Sequence, residues 1–186
     1  MSMQMSLANH FLVAMPSQTD IIFSQSVIYI CDYHALGTVG LMINRPTEYS
    51  VKLLFDHLEL KSSSDEISKK PLMFGGPIQP ERGFVIHRPV GNWRSSLLLK
   101  DDVTITTSND IISAIVAGKG PNDSLVTLGY AGWDTNQLEK EIIDNLWLVC
   151  PFRSDILYDV PFSSRWKEAA LSIGVHMEQI SGGGHA

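Results

Sequence analysis

"LGYAGWDTNQLEKEI", residues 128–142, sets two glycines, a tyrosine and a tryptophan directly ahead of a helical pattern. Upstream, "SLVTLGYAG" (124–132) is apolar and suits a buried strand. Downstream, Leu138, Ile142 and Ile143 form one stripe at helical spacing. The stretch therefore reads as a strand that turns into a helix. Asp134 and Gln137 suit a capping box, the carboxylate accepting from a first-turn N–H while Gln137 reaches back to the Asp134 N–H. Gly129 and Gly132 permit backbone angles that Tyr130 and Trp133 resist. Two readings stay open. Either the turn is structural and both aromatics pack on the core, or the helix start offers its N–H groups to an anion, in competition with Asp134.

Working outward, three more segments carry helical periodicity: Val51, Leu54, Phe55 and Leu58; Ile111, Ile112, Ile115 and Val116; Trp166, Ala169, Ala170 and Ile173. Ser108 can cap the second, with Asp110 in its first turn, and Gly118 and Gly174 are stop signals. Strand candidates are "HFLVAMP", "SVIYICDY", "TVGLMIN", "PLMFG", "GFVIHRP", "SSLLLK", "VTITT" and "LWLVCP". The short gaps between 26–33 and 38–44, and between 96–100 and 103–106, suit hairpins. Strands dominate the first two thirds and helices are interspersed late, unlike the regular alternation of a doubly wound sheet. The expected class is α+β with a strongly bent, mixed, largely antiparallel sheet. "KSSSDEISKK" (61–70) reads as a surface loop within one domain spanning 1–186.

The 186 residues are 44% apolar, which suits one real core, and the 20 acidic against 14 basic residues give a formal charge of -6. Phosphate binding rests on Lys and Arg, and the longest basic run is Lys69-Lys70, so direct nucleic-acid binding is not expected. "MSMQMSLANHFLVAMPSQTD" lacks a basic n-region and its apolar run is short, so neither a secretory signal nor a membrane span is expected. Cys31 and Cys150 sit in apolar runs without CxxC or zinc spacing and read as reduced, buried thiols of a cytoplasmic protein.

The six histidines, His10, His34, His57, His87, His176 and His185, have no metal-ligand spacing. There is no GxSxG elbow, and Asp32 beside Cys31 would raise that thiol's pKa. No metal or cofactor is expected. Asn44 and Arg45 in "GLMINRP" stand at a strand end, where they could grip a carboxylate or phosphate, or could serve as a turn Asn and a paired Arg. Pro46 is expected to stop the ladder there. "GGPIQPERGFVIH" (75–87) carries Gly76, Arg82 and Gly83 but lacks the lysine and hydroxyl of a phosphate loop.

Together, "HFLVAMP", "SVIYIC", "GLMINRP", "GGPIQPERGFVIH", "TTSNDI", "LGYAGWDTNQLEKEI", "NLWL" and "RWKEAALSIG" resemble the YqgE/AlgH family of bacterial proteins nearly end to end. The resemblance implies a bent sheet forming a pseudo-barrel surrounded by helices, and a native C-terminal Gly184-His185-Ala186. Family members are often labelled transcriptional regulators, although this acidic chain shows no helix-turn-helix pattern. Cys31 is followed here by Asp32 and Tyr33, with His34 one place later than the family's usual acidic–histidine pair.

The leading expectation is a non-enzymatic binding or regulatory domain acting through a small anionic ligand or a protein partner. Its candidate site is built from Asn44, Arg45, Gly76, Arg82, Gly83, Tyr130 and Trp133. The alternatives are an enzyme for a small anionic substrate, with His34 or His87 transferring protons, and a direct DNA-binding regulator.

Overall fold

The computed structural model describes residues 5–62 and 64–182; the terminal Gly-His-Ala lies outside them. The chain packs as two compact units. The first takes the chain up to Asn44, Gly76–Ile78 and the chain from Tyr130 on; the second takes Arg45–Gly75 and Gln79–Gly129.

In the first unit, β1 (His10–Ala14), β2 (Val27–His34), β3 (Gly37–Met42), the end of β9 (Asp123–Asp134) and β10 (Trp147–Pro151) pair antiparallel in the order β10-β1-β2-β3-β9. Phe11–Ala14 and Val27–Ile30 are fully buried at every successive position, so both faces of this sheet are covered. Phe11 and Tyr29 are cross-strand partners, and their rings and Phe152 lie about 6 Å apart on one face. On the other face Trp147 meets Trp133 and Phe23 edge-on, with centroids 5.9 Å apart. α6 (Arg165–Leu171) packs on β1, and the Trp166 indole N–H donates to the Ala14 carbonyl at 2.8 Å. Arg165, 2% exposed, donates to the carbonyls of Ile43 and Val160 and stacks on Phe162; burial pushes its pKa down to about 10.

β2 is not regular. Ile30 pairs with Gly40 and Asp32 with Val39, so Cys31 is the extra residue of a β-bulge, and its thiol donates to the Val39 carbonyl at 3.3 Å. A one-residue shift exchanges the faces of all later side chains. Tyr33 thereby leaves the face of Tyr29 and pairs with Thr38, which pairs with Trp133.

In the second unit β4 (Pro46–Ser50) is antiparallel to β5 (Pro71–Phe74), and β5 is parallel to the start of β9. β6 (Ile78–Arg88), β8 (Thr104–Thr106) and β7 (Ser96–Leu98) form an antiparallel set. Phe55 of α1 (Lys52–His57) and Ile111, Ile112 and Ile115 of α3 (Asn109–Val116) bury against Leu72, Val85 and Val126.

The α+β class, the largely antiparallel pairing and both expected hairpins are what the chain adopts. Several local expectations are corrected. Pro46 opens β4, because a strand's first residue can do without its N–H. The 61–70 insertion holds a short helix, α2 (Asp65–Ser68). α5 (Ser154–Tyr158), a 3-10 turn (Phe162–Ser164) and α7 (Met177–Gly182) are too short to show a periodic stripe. Asp134 stays in β9, and α4 (Gln137–Ile143) is entered through Asn136 at φ 64°. Half of the capping box exists: the Asp134 N–H donates to Gln137 Oε1 at 2.9 Å.

Gly37 opens β3 at φ 148°, and a Cβ there would stand 2.6 Å from the Trp133 carbonyl oxygen. Gly37→Ala is expected to cost roughly 2 kcal/mol or more, from backbone strain plus the forced separation of β3 from β9. Chemical denaturation measures it, and a loss below about 0.5 kcal/mol would contradict the close approach.

Candidate functional site

The register shift at Cys31 and the turn after β9 together shape a cavity of about 400 Å³ in the first unit. Tyr33, His34 and Thr38 line it from the β2–β3 hairpin; Asp134, Asn136 and Glu139 line it from the end of β9 and from α4. The Tyr33 hydroxyl donates to Glu139 Oε1 at 2.6 Å and so ties hairpin to helix. That hydrogen bond to a carboxylate is the main reason the Tyr33 pKa is pushed up to about 12, with burial and the negative charge of Glu139 adding to it. Asp134 and Glu139 are the fixed charges among the described lining residues, which include no Lys or Arg.

His34 borders this cavity but has little left to offer as a base. Its Nδ1 accepts the Leu36 N–H at 3.1 Å, which places the neutral ring's proton on Nε2, 3.4 Å from Asp32 Oδ2. His87, in the second unit, is fully buried. Its Nδ1 lies 3.0 Å from the Pro89 carbonyl, which can only accept. Nε2 is therefore the acceptor of the Thr106 hydroxyl at 2.7 Å, and Thr106 accepts in turn from Ser96 at 2.7 Å. Burial lowers the His87 pKa, which keeps the ring neutral. Both thiols are unpaired; burial pushes Cys31 to about 12, with Asp32 adding to the rise, and Cys150 to about 11. Among the described residues no group of three His, Cys, Asp or Glu could hold a metal ion.

The residues singled out from sequence fall as follows. Asn44 accepts the Val27 N–H and donates to the Gln25 carbonyl, both at 2.9 Å, which is the work of a turn residue. Arg45 is half-buried, its carbonyl accepts the Phe74 N–H, and burial lowers its guanidinium pKa. Gly76, at φ 156°, lies so close to the Tyr130 backbone that a Cβ would stand 2.2 Å from its carbonyl oxygen. Arg82 is exposed and stacks over Phe84 at 5.2 Å. Trp133 is 6% exposed, in the tryptophan pair of the core. Tyr130 is partly buried on β9. Of the seven, Gly83 lines a second cavity and none lines the larger one. Tyr33, Asp134, Asn136 and Glu139, which line the larger cavity, are not among the seven: the opening stretch turns a strand into a helix, and its polar end lines the cavity.

Because the folded Tyr33 pKa is raised, the stabilisation belongs to the protonated phenol. It is complete below the unfolded value near 10 and is lost as pH rises through about 12. Tyr33 is expected to stay protonated at pH 11 and to ionise there in Glu139→Ala, read from its ring resonances; equal titration in both proteins would contradict the bond. Alkylation of native Cys31 and Cys150 at pH 8 is expected to run at least tenfold slower than in unfolded chain.

The comparisons with known proteins agree with this architecture. The AlgH-like family model matches residues 11–178. A UPF0301 protein of Legionella pneumophila strain Corby is 55% identical over 97% of each chain, and one from Nitrosococcus oceani is 46% identical over 96% of each. The solution structure of the AlgH protein from Pseudomonas aeruginosa superposes with a TM-score of 0.80 at 39% identity, covering 100% of this chain and 99% of that one. A Corynebacterium diphtheriae protein shares the fold at 18% identity and a TM-score of 0.75, over 97% and 94% of the two chains. The continuous match in sequence and in structure makes this chain a member of the AlgH-like family.

Proposed function

We propose that this protein is a non-enzymatic binding domain whose first-unit cavity takes a small cationic or hydroxyl-rich ligand. The observation that carries the reading is the charge of that cavity: Asp134 and Glu139 line it and no described Lys or Arg does. An anion entering there would be desolvated beside two carboxylates with no Lys or Arg to offset the repulsion, which costs free energy. A protonated amine would gain charge-assisted hydrogen bonds to Asp134 and to the Glu139 oxygen left beside the Tyr33 contact. This departs from the anionic ligand that the arginines suggest in the sequence, since neither Arg45 nor Arg82 lines the cavity.

Two observations support binding over turnover. Both nitrogens of His34 and of His87 face partners, and both thiols are shifted far from the range of a thiolate nucleophile. Any regulatory role then runs through a ligand or a protein partner; the charge of -6 argues against direct DNA contact. The unpaired cysteines fit a reducing compartment, and a cytoplasmic location is part of the reading. No described helix is long and apolar enough to cross a membrane. We treat 1–186 as one functional domain, supported by a family match that runs without interruption through both units.

Thermal unfolding against amines (spermidine, arginine, choline), sugars, nucleotides and dicarboxylates tests this. A ligand at 100 times its Kd adds about 2.7 kcal/mol. At least one amine or sugar is expected to raise Tm, with the effect lost in Asp134→Asn/Glu139→Gln. Stabilisation by the anions alone, or an amine effect that survives the double substitution, sinks the proposal.

A further inference from the structure

The second unit contains a separate cavity of about 250 Å³ at the end of its hydrophobic core. Its apolar lining includes Leu54, Leu58, Ile112 and Val126, and its polar lining includes Thr107 and Asn109. Gly83, within β6, is also part of the lining.

That glycine has no conformational or packing reason to be one. Its φ is not among the positive values, and a Cβ built on it would meet only a methyl carbon of Leu128, at 4.0 Å, an ordinary van der Waals distance. The contrast with Gly75 is direct: there the same construction strikes the Gly129 carbonyl oxygen at 2.4 Å. A glycine inside a strand weakens it, and otherwise marks a bulge or a place where backbone or ligand comes close. No backbone stands within 4 Å of the Gly83 Cβ position.

We infer that the second-unit cavity is a ligand site, kept open by Gly83, for a small uncharged molecule with an apolar body and a hydrogen-bonding head. The volume decides the size class: it is close to the lower limit of small-molecule pockets, about 300 Å³, and too small for a folded partner. The apolar lining takes the body of the molecule by area burial. The head meets hydroxyl and amide groups that both donate and accept, from Thr107 and Asn109. Glu81 is the one carboxylate and His57 the one imidazole among the described lining residues, which hold no Lys or Arg, so the fixed charge disfavours an anionic head.

Benzamide, benzoate and ethylbenzene probe the three features separately. In amide-resolved NMR titrations of the full chain, benzamide is expected to shift the Gly83, Thr107 and Asn109 signals saturably. Benzoate, its anionic counterpart, should bind at least tenfold more weakly, and ethylbenzene, which lacks the head, at least threefold. Gly83→Leu should fill the space and abolish the shifts while Tm stays within a few degrees of the parent. Should Gly83→Leu not fold, Leu58→Trp enlarges another lining side chain and must weaken benzamide at least tenfold. Absence of saturable benzamide shifts up to 20 mM (roughly the weak limit for a fragment with a few contacts), unchanged binding in the filled variant, or benzoate binding as tightly as benzamide would each overturn the inference. The first-unit cavity serves as control: these substitutions leave any amine-induced rise in Tm intact, so the two readings fail separately.

Discussion

The larger cavity depends on one extra residue. Cys31 interrupts the pairing of β2 with β3, and everything after it is displaced by one place in face. Without the bulge, Tyr33 would follow Tyr29 to the sheet face that carries Phe11 and Phe152. With it, Tyr33 comes to the Thr38 and Trp133 side, within 2.6 Å of Glu139. The thiol takes part in the distortion by donating to the Val39 carbonyl of the opposing strand, so a small, weakly polar side chain suits this position better than a bulky one. Gly37 supplies the matching constraint on the other edge of the hairpin, letting β3 lie against the Trp133 carbonyl.

Burial on both sheet faces explains why the bulge is tolerated. A bulge in a half-exposed sheet would turn apolar residues out to water. Here the residues before Cys31 are buried on both faces, and those after it are polar or near the sheet end. The exchange of faces therefore costs little in apolar area. It brings polar groups together at the end of β9, where Asn136 with φ 64° turns the chain directly into α4.

What was legible in the sequence follows from how local each signal is. Buried strands such as "FLVA" and "VIYI" announce themselves by composition, and α3 and α6 by periodicity and by the glycines that follow them. Helices of four to six residues, such as α2 and α5, carry too few turns for a period to show. The candidate site was read from residue types that favour turns, glycine, arginine and asparagine at strand ends. Those types do mark turns, and Asn44 and Gly76 serve the backbone there. Tyr33 and Glu139 are 106 positions apart, joined by a register shift that no alternation pattern displays. Gly83, named for its place in the 75–87 connection, lines the second-unit cavity.

Both ring nitrogens of His87, and the acceptor nitrogen of His34, are engaged by the fold. A general base needs a lone pair aimed at substrate. At His34 that lone pair holds the Leu36 N–H and closes the hairpin turn; at His87 it holds Thr106, itself engaged by Ser96. To free either would break a local structural contact, and for the buried His87 would leave a polar group unsatisfied at a cost of about 1–3 kcal/mol. The carboxylates differ. Glu139 gives one oxygen to Tyr33 while lining an open cavity, and Asp134 uses its backbone N–H for Gln137, which leaves the carboxylate outside that bond. The ring nitrogens of His34 and His87 are thus committed to local contacts, whereas Asp134 and Glu139 line the cavity.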